Sequence, residues 1–466
     1  MDPLASNIDV ASDRALNAAF TAHNYRTLVR VVLSLAIPAI AQLIIQSLVF
    51  VADRIMLGHY SIAALASLEI SNLSINCSVQ VLCFFTVGLV AVVGRATGAK
   101  DRDLATSAIV GGIWYTSIIS IAFSVVAWLN LPVILSLFPG LEIAVREAAL
   151  HYLEIAFLGF PLLMLSMVAT AILQAMGNTR TPFFVGAIAN IINIGINYCL
   201  IFGHYHAPSL GVRGAAIGTV AALAIEALLL LGIIARQYNF LSRESFRDRT
   251  VAIGQILSIS SPVFWERLIR QLGIAINVVI LTFLGKIAIS TFEAISSFES
   301  FIESCANGFS IAAAVIVAQS LGAKKTEIAV SGSLIAMIFV ASLSALYAGG
   351  FFLFPDRLFS VFLPKEPISI IGIHSFYIAA IEQLFMALSV FMTQVLQIRG
   401  DTKIVTAISL IGWLIVRFCA VYLFVFVLNL GLVGFWLGLT CDWFVRVLAL
   451  GVLFFQQQRW QQDREG

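Results

Sequence analysis

Charge is scarce in this chain. Lys, Arg, Asp and Glu make up 11% of its 466 residues, against 60% hydrophobic residues, too little polar material to cover a water-exposed globular surface. The net charge is +2, and the basic residues are spread through loops, so no nucleic-acid surface is expected. Cysteine is scarce and scattered. Cys77, Cys83, Cys199, Cys305, Cys419 and Cys441 all fall in apolar runs without a C-x-x-C pair, so neither a disulfide framework nor a metal site is assigned and they read as small packing residues. The longest gap between apolar runs is about 15 residues, whereas an ATP-hydrolysing domain needs at least about 50. The segment GRATGAK (94–100) is one residue short of a phosphate loop and is followed by Asp101 rather than a hydroxyl, so no nucleotide is expected. No H-E-x-x-H or nucleophile–base constellation is present, and His23, His59, His151, His204, His206 and His374 fall in loops, the N-terminal segment or helix ends. No catalytic residue and no cofactor is therefore assigned. Residues 1–29 contain Asp2, Asp9 and Asp13, which fits neither a secretory signal nor an acid-poor transit peptide.

What the chain has instead is continuous apolar runs long enough to cross about 30 Å of hydrocarbon as helices. Breaks at charged, Gly or Pro residues give twelve spans, near 31–53, 63–94, 106–137, 144–174, 181–203, 212–236, 252–284, 290–320, 326–354, 370–397, 403–428 and 432–456. The termini and even-numbered loops hold seventeen Lys and Arg residues, the odd-numbered loops and their flanks six. That bias puts both termini in the cytoplasm, as in a multi-pass protein of the bacterial inner-membrane type.

The chain is also written twice. GRATGAKDRDLA (94–105) returns as AQSLGAKKTEIA (318–329), 224 positions on, and LSLAIP (33–38) returns as LSISSP (257–262) at the same offset. LQAMGNTR (173–180) matches LQIRGDTK (396–403), and SLGVRG (209–214) matches NLGLVG (429–434). Four separated matches in one order signify a duplicated unit. The expected division is a cytoplasmic segment 1–29, a first lobe 30–236, a cytoplasmic linker 237–251, a second lobe 252–456 and a tail 457–466. Because each half holds an even number of spans, the repeats are parallel.

Polar residues inside spans mark candidate sites, since a charged side chain there costs about 2.5–3.5 kcal/mol on insertion scales. In span 1, Gln42, Gln46 and Asp53 lie within about 40° of one another around a helix. Asp53 either faces the bundle or, beside Arg54, marks the outer interface. In span 5, Asn190, Asn193 and Asn197 share a face; they read either as interhelical glue or as partners for a carboxylate and a cation or proton. Glu266 with Arg270, and Asp442 with Arg446, are spaced to neutralise each other within one helix. Glu299, Glu303 and Asn307 form a stripe on span 8 without a basic partner on that helix. They face the cleft, or pair with Arg267 or Arg417 of neighbouring helices. Glu69 and Asn72 in span 2 and Glu226 in span 6 are further cleft candidates.

Taken in order, Pro38, Asp53-x-x-Met56-x-Gly58, the GAK loop, LQAMGNTRTP (173–182), the Asn190, Asn193, Asn197 stripe leading to IFG (201–203), and GVRGAAIGT (211–219) resemble the multidrug and toxic compound extrusion (MATE) family. The resemblance covers essentially all twelve spans. It implies an all-α polytopic membrane protein of two parallel six-helix repeats in a V-shaped two-lobe bundle. It also implies export of organic, often cationic or amphipathic, small molecules in exchange for protons or sodium ions. By that resemblance Asp53, Asn193, Asn197 and Thr219 form the ion-coupling site. Gln42, Gln46, Glu69, Asn72, Glu299 and Glu303 are expected in the substrate cleft. Pro38 leaves a backbone carbonyl without its helical partner and is the expected hinge. Many relatives carry a second Asp where Asn197 stands, and the position of a tenth-span Asp that holds sodium in one branch is Met386 here. Hard cations prefer charged oxygens. H+ is therefore the expected coupling ion, with Na+ the alternative, more like the proton-coupled DinF-like branch. Membrane lipid and the transported small molecules are the only partners expected, and the chain is expected to act as a monomer. The alternative function is a flippase for a lipid-linked precursor, which calls for a strongly cationic cleft and often extra spans.

Overall fold

The structure, a computed structural model, describes residues 25–138, 140–205, 208–238, 249–362 and 370–456. Most of the expected N-terminal segment, most of the linker and the tail lie outside the described residues, as do His23, His206, Arg14, Arg243, Arg247, Lys365, Arg459 and Arg464.

Among the described residues the chain is helical, with no strand. Among the described residues twelve helices are long and apolar enough to cross a bilayer. Span 1 is Tyr25–Tyr60, unbroken across Pro38. Span 2 is Ile62–Leu82 followed by a separate helix Phe85–Ala99. Spans 3 to 6 are Arg102–Leu129, Ile143–Ala175, Arg180–Phe202 and Val212–Gln237. Spans 7 to 10 are Arg249–Leu284, Lys286–Gly322, Thr326–Leu353 and Ile370–Arg399. Span 11 is Thr402–Val427 and span 12 Gly431–Phe455.

The expected single span 63–94 is thus two helices. The break carries no Gly or Pro signal, because its residues are Cys83 and Phe84. The chain heals it locally: Cys83 N–H donates to Val79 O at 2.8 Å, and the Thr86 hydroxyl donates to Cys83 O at 2.7 Å. Cys83 O also accepts the Thr86 N–H at 3.2 Å, so backbone and hydroxyl together keep this carbonyl paired at membrane depth. Span 11 is also irregular, with π-helical turns over Gly412–Arg417 and Tyr422–Val427.

The duplicated sequence segments are helix ends built alike. The GAK loops end span 2 and span 8 with Lys100 and Lys324 in the left-handed region, φ 58° and 57°. In each, the next N–H reaches back across the turn, Asp101 to Ala96 O at 2.9 Å and Lys325 to Ser320 O at 2.8 Å, a cap that satisfies orphan carbonyls. LQAMGNT and LQIRGDT do the same with Gly177 (φ 90°) and Gly400 (φ 115°). Asn178 N–H bonds Leu173 O at 2.9 Å, and Asp401 N–H bonds Leu396 O at 3.1 Å. Short helices Leu131–Ser136 and Pro355–Phe362 start 224 positions apart and follow spans 3 and 9.

Two compact units are formed, one of Ala41–Ser258 and one of the described residues within Met1–Ile40 and Ile259–Gly466. Their boundaries fall inside spans 1 and 7, two residues beyond Pro38 and three before Pro262. In each unit one pair of helices crosses closely through a Gly-x-x-x-Gly pair, Gly214 and Gly218 on span 6, and Gly434 and Gly438 on span 12. A methyl group at Gly214 would stand 2.6 Å from Leu200 O, and one at Gly434 2.7 Å from Phe424 O. Small residues at that spacing let helix backbones approach in a bilayer.

Candidate functional site

The unit Ala41–Ser258 carries its polar cluster where spans 1, 4, 5 and 6 meet. Asp53 stands eleven residues along the helix from Gln42, on the same face. Its Oδ1 accepts a hydrogen bond from Asn197 Nδ2 at 2.8 Å. The same Nδ2 lies 3.2 Å from Asn193 Oδ1, and Asn193 Nδ2 donates to Thr219 Oγ1 at 3.4 Å. Thr219 in turn donates to Ala215 O at 3.0 Å. Asn193 is 3% and Asn197 0% exposed. Asn197 can come this close because the facing residue is Gly218, where a methyl group would overlap Asn197 Oδ1. That oxygen has no hydrogen-bond partner. The cluster therefore holds a carboxylate, two amides and a hydroxyl, with one acceptor unused.

Arg54 does not pair with Asp53. It turns to Glu69 of span 2, Nε to Oε1 at 2.7 Å, in an exposed ion pair, with its guanidinium 4.4 Å over the Phe50 ring. Asp53 is thereby the acid that faces the helices, and Glu69, expected in the substrate cleft, is held in this ion pair. Gln42 is buried at 7% and points toward Gly186 and Glu226, not into open space. Gln46 is exposed and Asn72 half-buried. Tyr152 of span 4 joins the cluster unanticipated: it is buried, and its hydroxyl is in hydrogen-bond contact with Thr219. A mid-span tyrosine, which buries its ring but needs a partner for its hydroxyl, is the signal that could have found it.

The second unit has a different polar interior. Asp442 of span 12 is fully buried and accepts from two guanidinium groups. Arg446 Nε reaches Oδ1 at 2.6 Å, one turn along the same helix, and Arg417 Nε reaches Oδ2 at 2.7 Å from span 11. The Trp413 ring lies 3.7 Å from Arg417 Cζ, and the Trp443 ring 4.8 Å from Arg446 Cζ. The expected pair within span 12 is present, and Arg417, a candidate partner for Glu299 or Glu303 by sequence, completes it instead. Gly412 admits the cluster, since a methyl group there would overlap both Asp442 and Arg446. Glu266 accepts from Gln397 Nε2 at 2.8 Å.

Glu299 and Glu303 part company. Glu299 accepts from Gln383 Nε2 of span 10 at 2.5 Å and touches the buried Glu382 carboxyl, whereas Glu303 is exposed. The helix spacing placed them on one stripe, but the stripe is wide enough for span 10 to cover one and leave the other. Neither forms an ion pair with Arg417, whose partner is Asp442. Asn307 accepts from Gln394 Nε2 at 2.5 Å. Among the described residues no group of His, Cys, Asp and Glu is arranged to hold a metal ion.

A doubled helical unit with twelve spans and a buried acid–amide cluster in its first copy defines a polytopic membrane protein of the two-repeat transporter class. The MatE family model matches residues 38–199 and again 262–423, two stretches starting 224 positions apart. The chain belongs to the MatE family of transporters. It is 27% identical over 445 residues to the probable multidrug resistance protein NorM of Thermotoga maritima, covering 92% of each chain. It is 25% identical over 413 residues to the uncharacterized transporter YisQ of Bacillus subtilis, covering 88% of this chain and 89% of that one. Its fold matches the Vibrio cholerae MATE transporter VcmN in the bent form with a TM-score of 0.84 at 18% identity, over 94% of this chain and 98% of that chain. It also matches an outward-facing multidrug resistance MATE family transporter of the MOP superfamily with a TM-score of 0.82 at 17% identity, over 94% and 97%.

Proposed function

We propose that the chain is a proton-coupled antiporter that exports organic cations and amphipathic compounds by alternating access. It would sit in a plasma membrane of the bacterial inner-membrane type with both termini cytoplasmic. The observation that carries the reading is Asp53 held by Asn197, with Asn193, Thr219 and Tyr152 behind it.

As a carboxylate, Asp53 needs donors, and Asn197 Nδ2 is one. Once protonated it presents an O–H donor, and the unused Oδ1 of Asn197 becomes reachable if the amide turns. Proton uptake would therefore rearrange hydrogen bonds between spans 1 and 5. Such a switch biases two conformations only by its differential affinity for them. The cluster supplies one anionic ligand, which suits a proton better than a hard cation seeking several charged oxygens. Glu303, exposed and without a basic partner on its own helix, is assigned the attraction of cationic substrates. Two features support export over a lipid-precursor flippase: buried Arg417 and Arg446 are both engaged by Asp442, and the curated relative from Thermotoga maritima is described as a probable multidrug resistance protein.

The test is efflux of a fluorescent organic cation from reconstituted vesicles under separately imposed proton and sodium gradients. Transport driven by the proton gradient and lost in Asp53→Asn is expected. Transport that ignores protons and collapses without sodium would reverse the coupling assignment.

A further inference from the structure

Glu226 is the acid that the Asp53 cluster does not use. It lies near the middle of span 6 at 9% exposure, in hydrogen-bond contact with the buried Ser166 hydroxyl of span 4. Its Oε1 and the Gln42 Nε2 of span 1 converge on Gly186 of span 5, 3.5 and 3.9 Å from where a methyl group would stand. No ion pair to Glu226 is formed among the described residues. The charges on the surrounding helices are far off. Arg180 of span 5 is exposed and six residues from Gly186, roughly 9 Å along the axis. On span 4, Arg146, Glu147, His151, Tyr152 and Glu154 lie twelve or more residues from Ser166, and on span 1, Arg30 and Asp53 lie twelve and eleven residues from Gln42, roughly 16 Å or more. On span 6 itself, Arg213 and Arg236 are thirteen and ten residues away, at least roughly 15 Å.

The register of three helices joins this acid to Asp53. Thr219 and Glu226 are seven residues apart on span 6, one face and two turns. Gln42, Gln46 and Asp53 share a face of span 1. On span 5, Gly186, Asn190, Asn193 and Asn197 follow one another at four, three and four residues, so the asparagine stripe runs from the Asp53 cluster down to the glycine against which Glu226 packs. A carboxylate without a cation is costly at membrane depth, and a carboxyl that alternates between protonated and ionised forms on a polar track is the use that tolerates it.

We propose that Glu226 is a second proton-carrying carboxyl of this unit, receiving the proton that Asp53 releases by way of water along the Asn190 and Gln46 face, over a gap of roughly 10–16 Å. Asp53 goes from acid to carboxylate, Glu226 from carboxylate to acid, and the proton then leaves Glu226 for water on the cytoplasmic side. This rests on the proton-coupled reading above, which Asp53→Asn and the two imposed gradients test separately.

The experiment compares wild type, Glu226→Gln and Glu226→Asp in reconstituted vesicles, measuring proton-driven efflux of a fluorescent cation and, without a gradient, exchange of labelled for unlabelled substrate. Glu226→Gln keeps the shape and the Ser166 contact but carries no proton. It should slow gradient-driven efflux by roughly a hundredfold, the lower end of what a positioned proton carrier contributes, and leave exchange intact. Glu226→Asp should recover part of the loss. Gradient-driven efflux at the wild-type rate in Glu226→Gln would mean a permanently protonated structural residue and overturn the proposal, as would equal loss of efflux and exchange in a folded variant. If Glu226→Gln does not fold, Ser166→Ala decides: a displaced pH midpoint of efflux supports the role, and an unchanged midpoint refutes it. Should wild type itself ignore the proton gradient, the coupling reading fails first, and visibly so.

Discussion

Adding one methyl group at Gly218 tests whether the Asp53 cluster works as a unit. The Cβ of Gly218→Ala would fall on Asn197 Oδ1, 3.0 Å from Asn197 Cγ and 3.2 Å from Ile196 Cγ2. Asn197 is fully buried, so its amide cannot swing into empty space. Either span 6 withdraws from span 5 or the amide rotates away from Asp53, breaking the 2.8 Å hydrogen bond. Overpacking of this kind costs about 1–3 kcal/mol, measurable as a lowered unfolding midpoint in detergent. The functional loss should be larger than the stability loss accounts for, because the donor to Asp53 is displaced. Gly438→Ala is the control. Its methyl would press on Val421 N and Cα at 2.9 Å in the second unit, one helical turn from the Asp442 and Arg417 ion pair and on helices that carry no part of the Asp53 cluster. Similar destabilisation of both variants, with proton-driven transport falling in Gly218→Ala well below Gly438→Ala, is expected. Full transport in a Gly218→Ala protein, or equal losses in the two, would refute the reasoning.

Asp442→Asn leaves Arg417 and Arg446 buried against each other without their carboxylate, and should destabilise by about 3–5 kcal/mol; adding Arg417→Met should restore part of that, read as unfolding midpoints in detergent. Glu303→Gln should reduce transport of cationic dyes more than neutral ones while preserving the response to a proton gradient, and an equal loss for both dye classes would remove its substrate role. Glu299→Gln, at a carboxyl already held by Gln383 and Glu382, should leave dye preference unchanged.

The membrane class, the twelve spans and the duplication were legible because they depend on long apolar runs and on fixed offsets, which survive one-dimensional reading. The grouping of Asp53 with Asn193 and Asn197 was legible in part, since spacing along a helix gives faces. Which faces meet is a different matter, and that is where the reading stopped. Tyr152, the crossing of Arg417 to Asp442 and the cover that Gln383 gives Glu299 all depend on interhelical packing. The break at Cys83 and Phe84 left no trace because its repair is the N–H and hydroxyl of Thr86, three residues on. The repeated GAK and LQxxG segments were visible as repeats, but their cause, left-handed helix ends at Lys100, Lys324, Gly177 and Gly400, needed backbone angles.

The central claim is that an organic cation and a proton are exchanged through Asp53. The direct measurement is the internal pH of sodium-free vesicles containing the protein, followed with a trapped indicator after an organic cation is added outside. Wild type should move protons against the cation, with a pH change that scales with cation uptake, and Asp53→Asn should show neither. Cation uptake by wild type with no accompanying pH change, or an undiminished pH change in Asp53→Asn, would contradict it.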